Sequence, residues 1–222
     1  MQHHWDFTSV FDNWYILLLG LKNTVVLAAV CLVLGLFFGL FVGAARYSSK
    51  PIFNWPATAF VEIFRNTPVL VQIMWFFFAF PIISPFNINA FTAAALGLTL
   101  NTIAFSSEIY RAGIQSIHKG QWEAAKALGM NYWQQMGRII LPQAIRRMVP
   151  AFMNRAVELI KMTSLASVIA YGELMHQAKT ISTIEFNPIE MYTSVAVIFF
   201  LLIFPLALFV QRFETKSKVQ GK

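Results

Sequence analysis

Cysteine occurs once in the 222 residues, as Cys31 within an apolar run, so the chain can build neither a disulfide framework nor a thiolate-based metal site. Cys31 is expected to be a small core residue. Charge is also scarce: Asp, Glu, Lys and Arg make up 12% of the chain, about half the share in an ordinary soluble domain. That shortage argues against a water-soluble globule. The 57% hydrophobic content excludes a disordered chain, and the net charge of +7 is not gathered into the basic face that nucleic acid requires. The four histidines, His3, His4, His118 and His176, lack ligand spacing, so no metal site is expected. A basic n-region is missing too, since the first charges are Asp6 and Asp12, and the first apolar segment is expected to be retained.

What remains is a polytopic membrane protein of the all-α class, with a mean hydropathy of +0.59. Each helical crossing needs about 20 mainly apolar residues, and windows without charge locate them. Asn23 to Ala45 is 23 residues long, Asn66 to Ser107 is 42, and Met191 to Gln211 is 21. The 42-residue window holds two crossings, divided where Pro81, Pro85, Asn87 and Asn89 cluster. A fifth segment, from Val149 to Gly172, is interrupted by Arg155, Glu158 and Lys161. If it crosses and the N-terminus lies outside, inner loops and the C-terminal tail collect twelve of the 17 Lys and Arg. Otherwise the tail's cations move outside and the positive-inside bias weakens. The reading is therefore one membrane domain over 1–222, with five transmembrane helices near 15–45, 55–80, 90–112, 149–172 and 191–211, N-out and C-in. The inner loop is 113–148.

Gly35, Gly39 and Gly43 recur every four residues on one face of the first span, which lets another helix approach closely. Trp75 to Phe78 reads as lipid-facing or interfacial bulk. Ionisable residues within spans are more informative, because a charge at mid-bilayer costs several kcal/mol unless paired or hydrated. Glu62 and Arg65, Glu108 and Arg111, and Arg155 and Glu158 are opposite charges at i, i+3, followed by Lys161. Two readings stay open. The pairs neutralise each other while snorkelling to the interface, or they line a polar pathway with Gln72, Asn101, Ser106, Ser107, Thr163, Ser164 and Ser167. A zwitterionic solute would need both signs of charge.

The inner loop carries a second signal. Gln121 to Leu128 has helical character and is stopped by Gly129. Asn131 is placed to cap a second helix that runs toward Pro142, where a kink or break is expected. A helix, turn and helix on the inner face make a docking knob.

Glu123, Ala124, Ala125, Gly129, Ile139, Leu141 and Pro142 reproduce the spacing E-A-A-x3-G-x9-I-x-L-P, which resembles the cytoplasmic loop of ABC importer permeases. Three further stretches, Glu62 to Gln72, Ser107 to Gln115 and Lys161 to Val168, resemble the polar amino acid permeases of the histidine, glutamate and glutamine uptake type. The resemblance covers nearly the whole chain. It implies a type I ABC importer permease fold in a bacterial inner membrane, and a pathway formed with a second permease subunit, a copy or a paralogue. Two ATPase subunits would carry ATP and Mg on the cytoplasmic face, and an external solute-binding protein would deliver the amino acid. No G-x4-G-K-[ST] phosphate loop occurs in this chain, so it is not expected to be the enzyme or to bind a cofactor itself. The knob would seat in the ATPase, and a side chain at Gly129 would obstruct the turn or the seat.

Relatives that carry basic amino acids tend, by the same resemblance, to have a carboxylate just after the asparagine that stands here at Asn154. Here that position is Arg155, and with Glu158 and Lys161 it leaves the segment at +1, which favours a substrate carboxylate. The expected substrate is glutamate, aspartate or glutamine. A permease for basic amino acids, or for another small solute such as an osmolyte or phosphate, is the alternative. An ion-coupled secondary carrier would use the same charges as a relay, but five spans without an inverted repeat do not resemble that architecture. A membrane scaffold would leave the docking loop without a purpose.

Overall fold

The computed structural model describes residues 4–219, with side chains as far as Arg212. Every regular element among them is helical. A short α1 (Thr8–Asp12) leads into α2 (Trp14–Tyr47), followed by α3 (Pro51–Asn66), α4 (Val69–Ile83) and α5 (Ala90–Gln115). Then come α6 (Lys119–Ala127), α7 (Tyr132–Gln135), α8 (Leu141–Met162), α9 (Leu174–Glu185) and α10 (Pro188–Val219). Helices α2, α5 and the Pro188–Arg212 part of α10 are long and apolar enough to cross a membrane, with mean hydropathies of 3.0, 1.3 and 2.7.

The span expected over 55–80 is not one helix. The chain bends by 101° between α3 and α4, so only the bent pair together makes a fourth crossing. Pro68 is the cause: its nitrogen carries no hydrogen, so the Phe64 carbonyl four residues earlier has no helical donor. The segment expected over 149–172 differs as well. Its helix starts earlier, at Leu141, stops at Met162, and gives way to a 3-10 stretch from Thr163 to Ile169 that ends on left-handed Ala170, φ +56°. Its charges leave α8 too polar to cross by length and composition alone, and five crossings do not follow from those properties.

Packing is organised by α2 and α5. A Cβ on Gly35 would lie 2.3 Å from Thr102 Cγ2, on Gly39 2.7 Å from Ser106 Cβ, and on Gly43 2.9 Å from the Ser107 carbonyl oxygen. The glycine face of α2 is therefore in backbone contact with α5, where van der Waals packing holds helices in lipid. Leu27, Cys31, Ile73, Leu98 and Leu159 close the core beside it. Helix α9 is tied to α2: the Leu174 N–H donates to Thr24 Oγ1 at 3.2 Å, and Asn23 Nδ2 donates to the Gly172 carbonyl at 2.8 Å. Outward, α2 and α10 expose Phe37, Phe38, Phe41, Phe200 and Phe204, an unfavourable surface in water but the expected one against acyl chains. The aromatic run divides: Trp75 and Phe78 are exposed, while Phe76 and Phe77 pack on the core.

Candidate functional site: a polar seam and a helical knob

The charges singled out from sequence form a seam across α2, α3, α5 and α8. At one end the Arg46 guanidinium donates to Glu108 Oε2 and stands 3.9 Å from Glu62 Oε1. Glu108 also accepts from Arg111, the i, i+3 partner expected from sequence, and Arg111 reaches Gln115 at 2.7 Å. Glu62 and Arg65 do not pair in this way. Glu62 turns to Arg46 and accepts from Asn66 Nδ2 at 2.9 Å, while the Arg65 guanidinium lies over the Phe105 ring, 5.2 Å from its centre. A helix turn brings the two within reach, but Arg46 at the end of α2 competes for the carboxylate and wins.

Arg155 is the buried member of the seam, 3% exposed. Its guanidinium donates to Glu158 Oε2 at 2.9 Å, to Asn101 Oδ1 at 2.6 Å and to Thr102 Oγ1 at 3.2 Å, and lies 4.5 Å from the centre of the same Phe105 ring. Phe105 thus receives two guanidiniums, a cation–π arrangement that the spacing of charges alone does not reveal. Asn101 passes the network on, its Nδ2 donating to the Phe64 carbonyl at 2.9 Å. Gln72 Nε2 donates to that carbonyl at 3.0 Å and to the Thr67 carbonyl at 2.9 Å. Two side-chain amides replace the donor that Pro68 lacks.

The residues singled out from sequence therefore separate by depth. Gln72, Asn101, Ser107 and Arg155 lie inside the helix packing, with Ser107 returning its hydroxyl to the Ala104 carbonyl at 2.8 Å. Glu62, Arg65, Glu158 and Lys161 are exposed, and Glu108, Arg111 and Ser164 are half-buried. Asn154, Glu158 and Lys161 follow one another at four and three residues, so α8 presents them on one face while Arg155 and Leu159 occupy the buried one. Lys161 and Ser164 line a groove of about 520 Å³ whose far wall is Phe199, Phe200, Ile203 and Phe204 of α10.

The knob is built by local rules. His118 Nδ1 accepts from the Gly120 N–H at 3.1 Å and caps α6. Gly129 takes φ +74°, and the Met130 N–H reaches back to the Ala125 carbonyl at 3.2 Å, closing the helix in a Schellman turn. Asn131 and Gln134 then form a capping box. Glu123 and Ala124 are exposed, whereas Ala125 is fully buried on the inner face of α6. The layer beneath the knob is Ile117, Met136, Ile140, Ala144 and Met148. Leu128 and Trp133 are 77% and 79% exposed at its tip. Pro142 does not break the chain: a π turn over Met136–Ile140 absorbs its missing hydrogen bond, and the helix continues from α7 into α8. Leu141 is exposed at this junction.

Residues 35–219 match the family of binding-protein-dependent transport system inner membrane components. A probable amino-acid ABC transporter permease protein, YckA of Bacillus subtilis, is 40% identical over 89% of this chain and 87% of its own length. The glutamine transport system permease protein GlnP of Escherichia coli K12 is 36% identical over 96% of this chain and 98% of its own. Among solved structures, an amino acid ABC transporter crystallised with histidines is 32% identical with a TM-score of 0.91, covering 96% of this chain and all of that one.

Proposed function

The chain belongs to the family of inner membrane components of binding-protein-dependent transport systems, and on that premise we propose that it is a pathway-forming permease of an ATP-driven importer for glutamate, aspartate or glutamine. The observation that carries the reading is the polar face of α8. Asn154, Glu158 and Lys161 are exposed on a protomer whose longest helices, α2 and α10, expose Phe and Leu. A charged face turned to lipid is costly, so such faces border a water-filled path or a second subunit. Glu158 is engaged by Arg155, which leaves Lys161 as the α8 cation facing the groove. Its charge suits a substrate carboxylate.

In the same proposal the chain makes five crossings, with α3 and α4 as one bent crossing and α8 with its 3-10 extension as another. The N-terminus lies outside and the C-terminus inside, which puts the knob with Glu123, Ala124, Ala125, Gly129, Leu141 and Pro142 on the cytoplasmic face. There it docks one of two ATPase subunits that hold ATP and Mg. A second permease subunit covers the α8 face, and an external binding protein supplies the amino acid. The similarity to GlnP supports a polar amino acid as substrate.

The test is uptake of a labelled amino acid panel into vesicles holding this chain, its neighbouring ATPase and its binding protein, with and without vanadate. Vanadate-sensitive uptake competed by glutamate, aspartate or glutamine is expected. Competition by arginine or histidine overturns the charge argument. Uptake driven by an ion gradient without ATP overturns the importer reading.

A further inference from the structure

The helix that leaves the knob does not stop at the π turn. From Tyr132 to Met162 the backbone stays helical, a rod of roughly 45 Å at 1.5 Å per residue. Arg155 lies near its far end, buried and held by Asn101. Asn101 is itself 2% exposed and uses both ends of its amide: the oxygen accepts from the rod, and the nitrogen donates to the Phe64 carbonyl at the break between α3 and α4. Gln72 donates to that carbonyl from the far side of the break. One planar amide thus joins the rod to the 101° bend between α3 and α4.

We infer that Asn101 is a positioning residue, the joint through which displacement of the knob and α8 is passed to the α3–α4 break. The inference rests on the importer reading given above. A hydrogen bond transmits displacement in proportion to how little slack surrounds it. Here slack is small: the amide is buried, Gly97 one turn earlier on α5 would place a Cβ 2.9 Å from Ile73 of α4, and Gly35 seats α2 on the neighbouring Thr102. The break is the compliant element, since its backbone lacks the helix bond that Pro68 removed. When α8 shifts along its axis, Asn101 carries the Phe64 carbonyl with it, and the angle between α3 and α4 changes.

The experiment uses the reconstituted complex of permease, ATPase and binding protein. Its background is Cys31→Ala, which removes the sole native cysteine. Asn66→Cys reports on the break, Ile145→Cys reports on the rod, and maleimide labelling is timed without nucleotide and with vanadate-trapped ATP. With Asn101 intact, both reporters are expected to change labelling rate at least threefold on trapping. Asn101→Asp keeps the acceptor for Arg155 and removes the donor to Phe64. In that variant the rod still responds, the break does not, ATP hydrolysis persists and uptake falls at least tenfold. Asn101→Leu is expected to behave alike. A nucleotide response at Asn66→Cys that survives in Asn101→Asp overturns the joint. A rod that never responds, even with Asn101 intact, overturns the importer reading beneath it.

Discussion

Gly129→Asp is the substitution that separates folding of the knob from its use. The glycine holds φ +74°, and an added Cβ would meet nothing within 4 Å, so the protomer supplies no steric objection. What remains is backbone strain, about 1–2 kcal/mol for an L-residue in the left-handed region, with Asn and Asp at the low end because their side chains bond locally. The rest of the turn is kept by the Asn131–Gln134 capping box and by Ala125, buried on the inner face of α6. A loss of that size lies below the roughly 5–15 kcal/mol that holds a typical domain together. The knob should therefore form in Gly129→Ala, Gly129→Asn and Gly129→Asp, with Ala the most strained. Vesicle uptake should rank differently: Asp, which adds a charge at an exposed tip beside Leu128, is expected to abolish transport while inserted protein, measured by quantitative blotting, is unchanged. Wild-type uptake in Gly129→Asp would remove the coupling role from this turn. Loss that tracks strain, with Ala worse than Asp, would assign the glycine to folding alone.

Two further outcomes follow from packing and burial. Gly39→Leu drives a side chain into Ser106 on α5, where even a Cβ would stand 2.7 Å away. It should lower stability by about 1–3 kcal/mol, read as a drop in Tm of the detergent-solubilised protein, and an unchanged Tm would show that α2 and α5 can part without cost. Glu173, between the 3-10 stretch and α9, is fully buried, and burial pushes its carboxyl up from 4.5 to about 7, against the opposing N–H bonds from Met175 and His176. Because the folded value is the higher one, its contribution is intact below pH 4.5 and is lost as pH rises through 7. The change should be about 3 kcal/mol, and a Tm–pH curve of Glu173→Gln should be flatter over that interval. Equal slopes for the two proteins would place the pH dependence elsewhere.

The positions of α2, α5 and α10 were legible because lipid punishes charge, and charge-free windows mark where punishment would fall. The knob was legible for a different reason: Gly129, Asn131 and Gln134 act on their own neighbours, and local rules need no tertiary context. The break at Pro68 lay inside a window without charge, and hydropathy is blind to a missing N–H. Pairing at i, i+3 held for Glu108 with Arg111 and for Arg155 with Glu158. It failed for Glu62, since Arg46 comes from a helix that sequence spacing does not place beside it. Depth was the least legible property. Arg155, Glu158 and Lys161 are equivalent in a window of charges, yet one is buried on α5 and the others face outward. Phe105, the ring beneath two guanidiniums, carries no signal in a list of ionisable residues.

The π turn over Met136–Ile140 has a bearing on rotation. An α-helix advances about 100° per residue, so the one residue that a π turn adds changes the angular phase between everything before it and everything after. The face of α7 that stacks Tyr132 against Trp122 and the face of α8 that buries Arg155 are set relative to each other by that single residue. A regular helix joining the same two ends would present the knob a quarter-turn away from its present heading. The orientation of the docking surface about the rod axis is thus encoded in the five residues that lie between the tip of the knob and the polar seam.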